Sequence, residues 1–178
     1  VQSLAPKTGR CAILFPHGVL FRQEEAEMRK KLVEADLVES VLGLGPNLFY
    51  NSPMEACVVV CRTAKPKARK GRILFINAVN EVTRERAQSF LTDAHIQRIV
   101  RAYETFTDEP GFSRVASLAD IRVKDGNLSI PLYVASSPRV EQQQAGYSVN
   151  GLDMALSDWL DSSRKVRTSL EKLFLSEK

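Results

Sequence analysis

No stretch of the 178 residues holds the roughly 20 consecutive apolar positions that a membrane-spanning helix requires, and no signal peptide is visible. Cysteine is scarce. Cys11, Cys57 and Cys61 are the three present, all inside or beside apolar runs, and no Cys-x-x-Cys occurs. Histidine is scarcer still, with His17 and His95 alone, so there is little from which to build a Cys/His zinc site. Three buried, reduced thiols are expected, which suits a reducing cytosol. No strong excess of one charge exists either: 25 basic against 21 acidic residues leave a net charge of +4. That balance is compatible with nucleic acid but shared by many ordinary enzymes. The first residue is Val1 and not Met, which suggests a processed product or a fragment.

What is present is an apolar fraction of 44%, enough for a sizeable core in one domain with or without an appendage. Cys11 to Phe15 is a continuous apolar run closed by Pro16 and Gly18, the signature of a parallel central strand buried on both faces. Gln23 to Ala35 reads as a charged helix with Met28 and Leu32 on its inward face. Leu37 to Leu42, Ala56 to Cys61 and Arg72 to Ala78 read as three more strands. Between them lie a Gly/Pro/Asn/Ser loop over 43–53 and a basic connector over 63–71. The middle of the chain changes character. Thr83 to Phe90 is polar. Thr92 or Asp93 caps a helix to about Phe106, whose Ile96, Ile99, Val100, Tyr103 and Phe106 keep helical spacing. Residues 108–111 form a turn, 112–117 a short extended segment, and Ser117 or Leu118 opens a helical turn ending by Gly126. Leu128 to Val134 reads as extended, interrupted at Pro131. A polar linker over 136–146 precedes a helix from about Val149 to Leu175. Its Leu152, Leu156, Trp159, Val166, Leu170 and Leu173 form a heptad seam, with Ser163 filling the gap.

Four places could carry chemistry or binding. Pro16 and His17 end the first strand, where open α/β sheets bind ligands. His17 there is either a turn residue bonded to backbone or a pocket-lining base, and no nucleophile or orienting acid for it is evident. Phe49 and Tyr50 put two adjacent aromatics between strands, as a hydrophobic plug or as an exposed stacking face. Lys65, Lys67, Arg69 and Lys70 sit in the basic connector, which is either merely solvated or paired with phosphates. The heptad seam is too apolar to stay wet; it either folds back on its own domain or meets a partner helix.

The order of Gly9-Arg10-Cys11-Ala12-Ile13-Leu14-Phe15-Pro16-His17-Gly18-Val19-Leu20-Phe21-Arg22, the 43–61 segment, Arg72 to Ala78, Gly111-Phe112-Ser113-Arg114-Val115 and Asn127-Leu128-Ser129-Ile130-Pro131 resembles the C-terminal part of the modification (M) subunit of type I restriction–modification systems, an N6-adenine DNA methyltransferase. The resemblance runs from about Gly9 to Val134. It departs at 51–56, where many relatives carry a Thr- or Gly-rich loop.

The resemblance implies an α/β fold: the second half of a Rossmann-like S-adenosylmethionine-dependent methyltransferase sheet with an antiparallel edge hairpin, then a helical C-terminal extension. Residues 1–80 would belong to the catalytic domain, 81–135 to a family-specific α+β extension, and 136–178 to the linker and heptad helix. The family's glycine motif and its Asn-Pro-Pro-aromatic tetrapeptide belong upstream and are not in this sequence. The intact protein would methylate adenine N6 in double-stranded DNA. This chain alone would hold no catalytic residue or metal, bind no S-adenosylmethionine and be inactive. By resemblance, Phe49 or Tyr50 would stack on the extruded adenine beside Pro16 and His17. The heptad helix would dock on the specificity (S) subunit, with the restriction (R) subunit completing a cytoplasmic complex. If the first strand is central, truncation leaves an unpaired edge through which the chain could dimerise. The alternative is a self-standing, non-catalytic interaction module that binds a helical partner or DNA.

Overall fold

The computed structural model describes residues 3–49, 52–85 and 88–135. Four strands of seven residues each set the frame: β1 (Arg10–Pro16), β2 (Val38–Leu44), β3 (Ala56–Arg62) and β4 (Arg72–Ala78). A fifth, β7 (Ser113–Ser117), completes a sheet ordered β1-β3-β2-β4-β7. Short β5 (Thr83–Glu85) and β6 (Gln88–Phe90) pair separately as an antiparallel ribbon. The helices are α1 (Ala26–Glu34), α2 (Asp93–Thr105) and α3 (Leu118–Val123).

The strand order corrects two expectations. The first strand is not parallel to its neighbour, and it stands at the edge of the described sheet. β1 pairs antiparallel with β3 and, among the described residues, has no partner on its other side. Its residues alternate between exposed and half-buried, and Leu14 is 50% exposed. A continuous apolar run does not separate an edge strand from a buried one, because hydrophobicity alone does not say how many neighbours a strand has. Nor do β3 and β4 form a hairpin. β2 inserts between them, antiparallel to β3 and parallel to β4, so that β2–β4 is the one parallel pair in the described sheet. β2 is accordingly the deeply buried strand: Val38, Glu39, Ser40 and Val41 are all within 1% exposure. The mixed α/β class itself stands.

Two cores sandwich the sheet. On one face Leu20, Val33, Val41, Phe75, Ile121, Leu128, Ile130 and Val134 pack together; on the other, α2 lays Ala102, Ile99, Tyr103 and Phe106 over Leu74 and Ile76. Both helix starts behave as read. Thr92 and Ser117 each accept from the N3 backbone amide, and His95 and Asp120 answer with reciprocal capping bonds. The inward face of α1 differs from the reading. It buries Ala26, Arg29 and Val33 with Leu32 against the core, and leaves Met28 42% exposed. Leu128 to Val134 is not extended either. Pro131 lies at the start of a 3-10 turn over Ile130–Leu132, and Tyr133 stacks on Phe75 at 4.0 Å between centroids. Its apolar residues reflect burial in the core, not a strand.

Candidate functional site

The parallel strands β2 and β4 end together at Leu44 and Ala78, and β1 and β3 bring Pro16 and Ala56 to the same end of the sheet. Loop 45–55 crosses this end. It starts in a narrow passage: a Cβ on Gly45 would lie 2.5 Å from the Val79 carbonyl oxygen. Asn47 then adopts a left-handed φ of 60°, and its carbonyl accepts the Ser89 amide of β6 at 2.9 Å. The ribbon β5–β6 thus braces the loop. The Ser52 amide donates to the Phe49 carbonyl at 3.1 Å and closes the loop on itself. Phe49 is not a plug. It is 38% exposed, with Met54 62% and Phe90 38% exposed. Tyr50 lies outside the described residues.

His17 lies against an acid that the sequence did not reveal. Its amide donates to the Glu55 carbonyl at 3.3 Å, and its Nδ1 lies 3.3 Å from Glu55 Oε2. A Phe21 ring meets the imidazole edge to face at 6.3 Å. His17 Nε2 is buried and has no hydrogen-bond partner among the described residues. The only hint of Glu55 in the sequence is its place before β3, and it becomes a partner through the β1–β3 register. The turn that carries His17 is fixed from behind: Arg29 donates to the carbonyls of Val19 and Arg22 at 2.9 and 2.7 Å. Burial holds the Arg29 guanidinium below its usual range, against the pull of Glu25.

The basic connector lies at the opposite end of the sheet. The seven residues of β3 separate it from loop 45–55, a span of about 20 Å at ~3.3 Å per residue. Two of its four candidate phosphate contacts are committed inside the protein. Lys65 is 6% exposed; its Nζ donates to Asp36 Oδ1 at 2.6 Å and to the Arg72 carbonyl at 2.9 Å. Arg69 pairs with Glu39 at 3.3 Å and lies over the rings of Tyr103 and Phe106, 5.1 and 4.7 Å from their centroids. Glu39, fully buried on β2, also takes Arg62 at 3.2 Å and the Tyr103 hydroxyl at 2.6 Å. Burial alone would raise the Glu39 carboxyl, but the Tyr103 hydrogen bond and the two guanidinium groups outweigh it and hold it below its ordinary value. Lys67 and Lys70 are exposed. Pro16, His17 and Phe49 therefore share one end of the sheet, and the connector cations do not join them. The heptad residues Leu152, Leu156, Trp159, Val166, Leu170 and Leu173 lie outside the described residues.

The two closely spaced glycines, Gly43 and Gly45, face protein and not an open pocket: a Cβ at Gly43 would meet Ile130 Cδ1 at 2.7 Å, and one at Gly45 the Val79 carbonyl. No group of three His, Cys, Asp or Glu side chains able to hold a metal occurs among the described residues, and none of their helices is long and apolar enough to cross a membrane.

Comparison with known proteins adds a consistent set of likenesses. Residues 1–142 match the family described as N-6 DNA methylase. The MjaVIII methylase subunit of a type I restriction enzyme of Methanocaldococcus jannaschii is 34% identical over 168 residues, covering 92% of this chain and 29% of that protein. The MjaVII methylase subunit of the same organism is 41% identical over 129 residues, covering 70% of this chain and 22% of its own length. The crystal structure of a type I restriction–modification methyltransferase subunit from Streptococcus thermophilus superposes with a TM-score of 0.66 at 37% identity, over 71% of this chain and 26% of that one. The chain thus spans under a third of the length of these relatives.

Proposed function

This chain belongs to the N-6 DNA methylase family, and we propose that it forms one part of the methylase subunit of a type I restriction–modification system. The intact subunit would transfer a methyl group from S-adenosylmethionine to adenine N6 in double-stranded DNA, in a cytoplasmic complex with S and R subunits. This chain would supply one wall of the base pocket. The observation that supports this most is the loop end of the sheet: a braced loop presents an exposed Phe49 at the same end as His17, whose imidazole lies 3.3 Å from Glu55. A base taken out of the duplex needs such a face to stack on. Tyr50 is the neighbouring candidate. His17 serves as a positioning residue at that wall.

The described sheet would be the second half of a larger Rossmann-like one, continued across β1. An edge strand with apolar side chains half-exposed on both faces is what a sheet interrupted at that strand looks like. Cofactor binding and methyl transfer are expected of the intact subunit and not of this chain alone. The C-terminal seam from Leu152 to Leu173 would dock on S. Lys67 and Lys70 are the connector cations exposed to reach a phosphate; Lys65 and Arg69 are held inside.

Phe49→Ala in the intact methylase, assembled with its S subunit, tests the reading. Base–aromatic stacking is worth about 1–3 kcal/mol, so methylation should fall by roughly 5- to 160-fold with S-adenosylmethionine affinity unchanged. A fluorescent adenine analogue at the target position should lose its stacking signature. Unchanged methylation in both Phe49→Ala and Tyr50→Ala would remove the base pocket from this loop.

A further inference from the structure

We propose that Cys11 and Cys61 form an oxidative modification site, a cross-strand thiol pair that closes to a disulfide on exposure to a small disulfide oxidant and reopens on reduction. The two residues are direct partners in the β1–β3 register. Directly opposed residues of an antiparallel pair project to one face, and both thiols belong to the same packed cluster. The register also fixes the kind of pair. Thr63 donates to the Gly9 carbonyl and His17 to the Glu55 carbonyl, each an even number of positions from Cys11–Cys61. The cysteines therefore occupy a hydrogen-bonded pair, whose Cα atoms lie about 5.5 Å apart. Disulfides span Cα separations of about 4.4–6.8 Å, so the pair lies within reach, and closure has only to draw the two Cβ atoms together by about an ångström. Cys57 is no competitor. It is opposite Phe15 and four residues along β3 from Cys61, about 13 Å away.

The reaction divides into two exchanges. The half-buried Cys11, as thiolate, attacks one sulfur of oxidised glutathione; a mixed disulfide forms and one glutathione thiol leaves. Cys61 then releases its proton to solvent, attacks the Cys11 sulfur and expels the second glutathione thiol. Two protein thiols are oxidised and one external disulfide is reduced. A groove of about 660 Å³ lined by Ile13, Phe15, Leu32, Val59 and Cys61 gives the small thiol room beside the buried partner. Burial, with Cys11 adding to it, pushes the Cys61 thiol up to about 11. The second exchange needs the Cys61 thiolate and should accelerate as pH rises. In a reducing cytosol such a pair rests open and reports oxidation.

The test uses the intact methylase subunit, folded, incubated with oxidised glutathione, alkylated, digested without reductant and mapped by mass spectrometry. The expected product is one cross-linked peptide joining Cys11 to Cys61. Cys57 should be alkylated only after unfolding, and dithiothreitol should restore all thiols. Cys61→Ser should stop at a stable glutathione adduct on Cys11, and Cys57→Ser should leave the cross-link intact. A wild-type protein that retains the Cys11 adduct without closing, links Cys57, or reacts only in denaturant overturns the proposal. The wild-type map alone decides the matter if a variant does not fold.

Discussion

At the connector end of the sheet the buried charges are answered inside the protein: Glu39 takes two guanidinium groups and a phenol, and Asp36 takes Lys65 and the Gly71 amide. At the loop end, polar and aromatic groups are left over. His17 Nε2 and Ser89 Oγ are buried without partners among the described residues, and Phe49 and Phe90 face solvent. The more conspicuously charged end thus has its buried charges paired, whereas the loop end keeps buried polar atoms without partners among the described residues. Counting lysines and arginines in a sequence does not distinguish cations that neutralise a buried acid from cations that await a ligand.

This contrast makes the two ends respond differently to mutation. Glu39→Ala should cost about 3–5 kcal/mol of unfolding free energy, the range for breaking a buried ion pair, measured by urea titration. Lys65→Met should cost about 1–3 kcal/mol, because Asp36 loses its cation and the Arg72 carbonyl its donor. Acid supplies a milder version of the first change. The folded-state Glu39 carboxyl lies below its unfolded value, so its contribution is present above the ordinary carboxylate range and fades as pH falls through the depressed value. Glu39→Gln should flatten that part of the stability–pH curve; an unaltered curve would mean that other carboxylates govern acid unfolding. Phe49→Ala should move stability by less than about 0.5 kcal/mol, and a larger loss would make Phe49 a structural residue after all. Smallest of all for the fold, Lys67→Ala with Lys70→Ala should leave stability unchanged. It should lower the slope of log affinity for DNA against log salt by up to about 1.8 if both meet phosphates.

The fold was legible where local physics decides it. Runs rich in β-branched residues at 56–62 and 72–78 and the capping residues Thr92 and Ser117 specify their elements regardless of context. Strand order was not legible, since insertion of β2 between β3 and β4 depends on long-range pairing. Apolarity also misled twice. Met28 is a solvent-facing residue of α1, while Arg29 is inside because three backbone carbonyl and carboxylate neighbours, Val19, Arg22 and Glu25, compensate its charge. Of the candidate site, the aromatic loop and His17 were visible as residue types in a loop. Glu55 and Ser89 were not, because their roles arise from a register and from a polar ribbon with no strand signal.

The β1–β3 pairing also sets a timetable for synthesis. β1 ends at Pro16 and its partner begins at Ala56, so the 39 residues 17–55 must be made after β1 before β3 begins to emerge. At roughly 5–20 residues per second, the strand bearing Cys11, Ile13 and Phe15 waits about 2–8 s without the neighbour it pairs with in the finished fold. During that interval its apolar side chains are available to other nascent chains and to chaperones, and the arrival of β3 is the step that ends the exposure.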